Sequence, residues 1–196
     1  MTERIPRLRP TDLNDEQQAL YTSIVGGPRT KGPQLFAVVA EDGSLNGPFG
    51  LMLHGPHLGK PLDDLGAALR YRSGLSARER EIAILSVAAT TRSSFEMFAH
   101  GLVGRSVGLT AGEVHALATG EFTSVDPREV CAARVCTQLV HDSQPDTSLW
   151  DQAAARFSAQ ETLELIALAG YYRTISQMME VFGVTADSGP GRSIAG

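Results

Sequence analysis

Three segments of this chain begin in the same way. Ser76-Ala-Arg-Glu79, Thr110-Ala-Gly-Glu113 and Ser158-Ala-Gln-Glu161 each set a hydroxyl residue three places ahead of a glutamate, just before an apolar run. That spacing lets the hydroxyl accept from the third helical N–H while the carboxylate turns back to the first residue's N–H. Two donors that every helix start leaves open are then satisfied. Three such starts in 196 residues, with no period-two alternation long enough to make a strand, predict an all-α bundle. Gly108 and Gly120 stand where helix C-terminal caps belong.

The remaining helices follow from capping and periodicity. Asp12 or Asn14 caps a first helix from 16 to about 25, after a Pro- and Arg-containing extended arm over 1–10. The Gly- and Pro-rich stretch 26–46 forms a long loop, whose Leu35, Phe36, Val38 and Val39 call for burial. Pro48 suits a first helical turn and Pro56 closes that short element. A helix over about 57–72 presents Leu58, Leu62, Leu65 and Leu69 as its core face. Another spans 127–142 with Val130, Ala133, Val135, Leu139 and Val140 inward, followed by one through about 157 and a last helix or helix pair over 159–182. No domain boundary is visible, so the expectation is one domain over 1–196, with a core of about 10–185 and a flexible tail over 186–196. SAREREIAIL at 76–85 and SAQETLELIAL at 158–168 form a faint repeat that brings Glu81 near the place of Glu164.

The net charge of −5 argues against a nucleic-acid surface, and no apolar run approaches the roughly 18 residues that a membrane span needs. The first ten residues lack the apolar stretch of a secretory signal, so a cytoplasmic protein is expected. The only cysteines, Cys131 and Cys136, are five residues apart, which points them to different sides of a helix and suits core positions better than a redox or metal pair.

Chemistry concentrates in 81–100, EIAILSVAATTRSSFEMFAH. A polar break over 90–94 separates two helical runs, and Glu96 and His100, four apart in the second, share one helix face. A carboxylate beside an imidazole fixes its tautomer and suits it to proton transfer, whereas an exposed pair at this spacing is only a weak surface contact. Residue chemistry leaves both open. Phe95, Met97, Phe98 and Ala99 surround the pair with apolar bulk, and the hairpin returns Arg80 and Glu81 alongside. The chain lacks His-Glu-x-x-His, a P-loop and Gly-x-Ser-x-Gly. No metal is therefore expected, although Glu81, Glu96 and His100 could in principle supply three ligands.

The stretch resembles the carboxymuconolactone decarboxylase family, within the AhpD-like superfamily. Redox members carry a glutamate, eleven residues, a cysteine, two residues, a cysteine, three residues and a histidine. Counted from Glu81, this chain has Ser93 and Glu96 at the cysteine positions and His100 at the histidine. Neither serine nor glutamate replaces a thiolate nucleophile or its resolving partner, so thiol peroxidase chemistry is disfavoured. Glu96-x-x-x-His100 is similar to the decarboxylase branch, and LSARERE, GL-TAGEVHAL and LAGYYRTISQMMEVFGV look like a longer subgroup over about 10–185.

The resemblance implies a cofactor-independent lyase acting on a small carboxylated or lactone-like molecule. Alternatives are an isomerase, dehydratase or cyclase on the same fold, or a non-catalytic binding protein. It implies that His100, Glu96 and Glu81 are catalytic, that Arg80 or Arg92 holds a substrate carboxylate, and that Ser93, Phe95 and Phe98 line the site. Homo-oligomers are common in the superfamily, and Tyr171 and Tyr172 offer material for such contacts or for the core. Glu180 stands where the subgroup often has a smaller amide.

Overall fold

The computed structural model describes residues 4–31 and 34–186. Nine α-helices occur among them: α1 (Asp15–Gly26), α2 (Pro48–Met52), α3 (Pro56–Tyr71), α4 (Ala77–Thr91), α5 (Ser94–Ser106), α6 (Ala111–Thr119), α7 (Pro127–Asp142), α8 (Thr147–Ala154) and α9 (Ala159–Phe182). The described residues contain one isolated β-bridge, Val39 to Leu45, and no longer ladder. The fold class is all-α, as the capping pattern predicts. The tail expected to be flexible lies outside the described residues from 187 onward.

The chain divides into two compact units, one formed by residues up to Leu65 together with those from Met178 on, and the other by Gly66–Gln177. In the first, Asn14 caps α1 through a reciprocal pair with Gln17. Pro6 carbonyl bonds to His54 Nε2 at 2.9 Å, and Arg7 donates to Ser44 Oγ and Asn46 Oδ1, which ties down the N-terminal arm. In the long loop Val38 is buried as expected, but Leu35 is exposed and Phe36 and Val39 are half-buried. Pro56 does not close the short segment; it opens α3, where a missing N–H costs nothing.

The leucine face expected on α3 is also wrong: Leu58 is 63% and Leu65 41% exposed, and only Leu69 is buried. The buried positions are Gly59, Asp63, Gly66 and Leu69. A Cβ on Gly59 would stand 2.4 Å from the Met52 carbonyl and 2.8 Å from Leu20, so this helix approaches its neighbours through a glycine. Asp63 tolerates burial because Arg29 Nε lies 3.2 Å from its carboxylate, with the guanidinium over the Phe49 ring.

The second unit is built around α4. Ile82, Ala83, Ile84, Leu85, Val87 and Ala88 are all essentially inaccessible, so α4 is buried on every side over 81–88, as its long apolar run implies. It packs on α5, α6 and α7. Ile82 and Leu85 join Leu109, Leu117 and Ala133 in a cluster that Met97, Val114 and Phe122 cover. On α7 the inner face runs through Cys131, Ala132, Val135 and Cys136 with Ala133, while Val130, Leu139 and Val140 are only half-buried. The cysteines are free and buried.

All three anticipated capping boxes form. Their glutamates also serve as ion-pair partners. Arg78 reaches Glu113 at 2.5 Å and Glu129 at 2.7 Å, and Arg128 reaches Glu79 at 2.6 Å and Glu161 at 2.7 Å. Arg128 additionally donates to the Arg156 carbonyl and lies 4.4 Å from the Phe157 ring centroid. Two arginines thus tie together the starts of α4, α6, α7 and α9. The faint repeat ends with the box: Glu164 accepts from Ser73 Oγ and the Gly74 N–H, and caps a turn.

Candidate active site

Glu81 lies one turn into α4, within the most deeply buried helix of the unit, and none of its side chain is exposed. The polar break after it is shorter than the sequence suggests. Thr90 and Thr91 remain helical because their hydroxyls donate back to the Ser86 and Val87 carbonyls. Arg92 ends α4 in the left-handed conformation, with φ of 57°. The Ser93 N–H bonds to the Ala88 carbonyl at 2.9 Å, and Ser93 Oγ accepts from the Glu96 N–H to cap α5.

Ser93-Ser-Phe-Glu96 is therefore a fourth Ser-x-x-Glu start, and it differs from the other three. Its cap N–H is already spent on α4, so the Glu96 carboxylate is not drawn back to it. Instead Glu96 Oε2 lies 3.3 Å from His100 Nε2, one turn along α5. The other ring nitrogen, Nδ1, lies 2.6 Å from Glu81 Oε2. The imidazole is thus held between two carboxylates on opposite edges, and all three residues are buried. The Tyr172 ring meets His100 edge-on at 5.1 Å between centroids, and Tyr171 meets Tyr172 in the same manner. Tyr172 has no motif signature; the one available signal was an aromatic pair on a helix face that core packing explains equally well.

Electrostatics favour the charged ring. Burial pushes the imidazole of His100 down, but the Glu81 carboxylate and then Glu96 more than reverse this and raise it to about 9. The imidazolium donates from both nitrogens at once. A neutral ring that keeps its Nδ1 proton on Glu81 would turn a lone pair on Nε2 toward Glu96.

The other anticipated residues divide. Arg80 Nε stands 3.7 Å from Glu81 Oε1, and Ser93 is buried at the cap. Phe95 is buried next to Glu96 on α5. Phe98 is 45% exposed, Arg92 is exposed at the turn, and Met97 packs into the α4–α6–α7 cluster. The apolar wall expected around the pair is therefore narrower than the sequence suggests. Glu180 is exposed. Among the described residues no group of three or more His, Cys, Asp or Glu side chains is placed to hold a metal ion. No described helix is long and apolar enough to cross a membrane.

Comparison with known proteins bears on the fold. Residues 56–138 match the carboxymuconolactone decarboxylase family. No curated protein matches the chain. Among solved structures, it is similar to an uncharacterized peroxidase-related protein with an alkylhydroperoxidase AhpD core from Ralstonia eutropha JMP134 (15% identity, 93% of this chain and 90% of that one, TM-score 0.72). A peroxidase-related protein from Silicibacter sp. TM1040 gives 15% identity, 93% and 91% coverage and a TM-score of 0.70. A cysteine-to-alanine variant of the debrominase Bmp8, in complex with 2,3,4-tribromopyrrole, gives 10% identity, 96% and 94% coverage and a TM-score of 0.70. At these identities the structures show the shared AhpD-like, all-α fold, and the carboxymuconolactone decarboxylase family model matches the middle part of the chain.

Proposed function

We propose that the protein is a lyase of the decarboxylase type, acting on a small carboxylated or lactone-like molecule through proton transfer at His100. The observation that carries this reading is the imidazole clamped between Glu81 and Glu96, with the shorter contact on Nδ1 and the longer on Nε2. Glu81 fixes the ring and its tautomer, and Nε2 is the position from which a proton moves. Loss of CO2 from a β,γ-unsaturated acid whose double bond is conjugated to a lactone carbonyl breaks a carbon–carbon bond and passes its electron pair into that carbonyl as a dienolate, which gains a proton at carbon. His100 Nε2 protonates that carbon, and the ring becomes neutral while retaining its Nδ1 proton on Glu81. Glu96 then relays a proton from water back to Nε2, which restores the imidazolium. Arg92, exposed at the α4–α5 turn, remains the arginine for a substrate carboxylate.

Acid–base catalysis of this kind contributes typically about 10²–10⁴-fold. A screen of lactones and β-keto acids for CO2 release identifies a substrate, and His100→Ala then loses nearly all turnover while keeping its helical circular dichroism. Turnover retained in that variant removes His100 from the mechanism. Exposed Leu163 and Ile166 on α9 fit the homo-oligomer that the superfamily resemblance implies.

A further inference from the structure

Three buried side-chain polar atoms among the described residues have no hydrogen-bond partner within the protein: Arg80 Nε, Glu81 Oε1 and Ser176 Oγ. Two belong to the site itself, and the third lies one turn beyond Tyr172 on α9, the residue whose ring meets His100. A buried polar atom left unsatisfied is costly, more so when charged, so two neighbouring ones call for a shared partner. Arg80 Nε and Glu81 Oε1 are 3.7 Å apart, near enough for ionic attraction and too far for a hydrogen bond. One oxygen can stand about 2.8 Å from both, which ordinary hydrogen-bond lengths permit.

From this geometry we propose that Arg80 Nε and Glu81 Oε1 form a subsite for one hydroxyl-type oxygen, a bound water in the resting protein and a hydroxyl or enol of the substrate during reaction. The choice of group follows from what each atom can do. Nε–H can only donate, and an ionised carboxylate can only accept. A substrate carboxylate or phosphate would satisfy Arg80 but set a second anion against Glu81. An ammonium would satisfy Glu81 but oppose Arg80. Only a group that accepts and donates together completes both. Glu81 Oε2 is bound to His100 Nδ1, so the same carboxylate touches the imidazole with one oxygen and the ligand with the other. This reading rests on the proton-transfer site proposed above and changes the part expected of Arg80, from clamp of a carboxylate to donor toward a hydroxyl.

A high-resolution crystal structure of the full chain tests the resting state. An ordered oxygen within hydrogen-bond distance of both atoms is expected; a direct Arg80–Glu81 hydrogen bond, or Arg80 turned to solvent, overturns the proposal. Crystals soaked separately with phenol and benzoate, which share a ring and differ in the group offered, test the substrate half. Phenol is expected to place its hydroxyl where the water stood and to lose that position in Arg80→Met. Benzoate seated on Arg80, or phenol unmoved by the substitution, overturns the assignment. If neither ring binds there, the subsite holds water alone and its substrate half falls. These outcomes read the position of an oxygen and not turnover, so they are separable from failure of His100→Ala to abolish activity.

Discussion

Replacing Glu81 by glutamine keeps the side chain's shape and removes its charge, which isolates what holds the proton on His100. In the native protein burial lowers the imidazole's affinity for its proton, and Glu81 ahead of Glu96 raises it to about 9 against an ordinary 6.5. That interval corresponds to about 3 kcal/mol between the two protonation states. Glutamine leaves the burial and Glu96 in place, so the variant's imidazole should titrate clearly lower than the native one. Nitrogen NMR of histidine-labelled protein, followed against pH, reads this directly. The raised value also has a stability consequence. A group that binds its proton more tightly when folded contributes stability that is complete below 6.5 and is lost as pH rises through about 9. The difference in urea-unfolding stability between native protein and Glu81→Gln should therefore narrow across that window. A native His100 that titrates at or below 6.5, or an equal value in the two proteins, refutes the clamp.

Ser93→Ala removes the α5 cap and should cost about 1 kcal/mol in urea while turnover persists; Glu96→Gln keeps the cap and should lower turnover by about 10²-fold or more. The reverse pattern would make Glu96 a helix-start residue. Arg128→Met releases Glu79 and Glu161 together, for an expected loss of about 1–3 kcal/mol, reduced from a fully buried pair because the arginine is partly exposed. Hydrogen bonds at the Ser158 cap, then from Arg128, hold Glu161 at about 2, and Arg78 with the Thr110 cap does the same for Glu113. These depressed values contribute stability present above 4.5 and lost as pH falls through about 2. Arg128→Met should flatten the Glu161 part of that acid limb in pH-dependent unfolding. Burial raises both thiols, Cys136 to about 12, so neither cysteine should react with a thiol-specific disulfide reagent until the protein is unfolded.

What could be read from the sequence was what is decided locally. A capping box spans four residues and closes within them, so the starts of α4, α6 and α9 were legible. The core face of α3 was not, because its decisive contacts lie elsewhere in the chain. The Gly59 backbone meets the Met52 carbonyl, and Asp63 is made tolerable by Arg29, neither of which hydrophobic periodicity records. The Glu96/His100 pair was visible from helical spacing, but its burial depends on α4 being enclosed on all sides. Tyr172 comes from 72 residues beyond His100 and carries no local mark. The long reach of Arg78 and Arg128 between helix starts is likewise a matter of tertiary placement.

The fourth Ser/Thr-x-x-Glu start explains how a glutamate in a helix's first turn comes to face an imidazole. Ser93 and Glu96, which the resemblance sets at the two cysteine positions of the redox pattern, are both fixed by the start of α5. Ser93 caps α5 with its hydroxyl, while its own N–H completes the end of α4. Because that N–H is unavailable, the Glu96 carboxylate is released from the return path that Glu79, Glu113 and Glu161 follow, and it meets the imidazole. An acidic group in the first turn is also favoured by the helix dipole, which makes this a low-cost place for a second carboxylate near His100. The tight α4–α5 turn thus does two things at once: it brings Glu81 to Nδ1, and it frees Glu96 for Nε2.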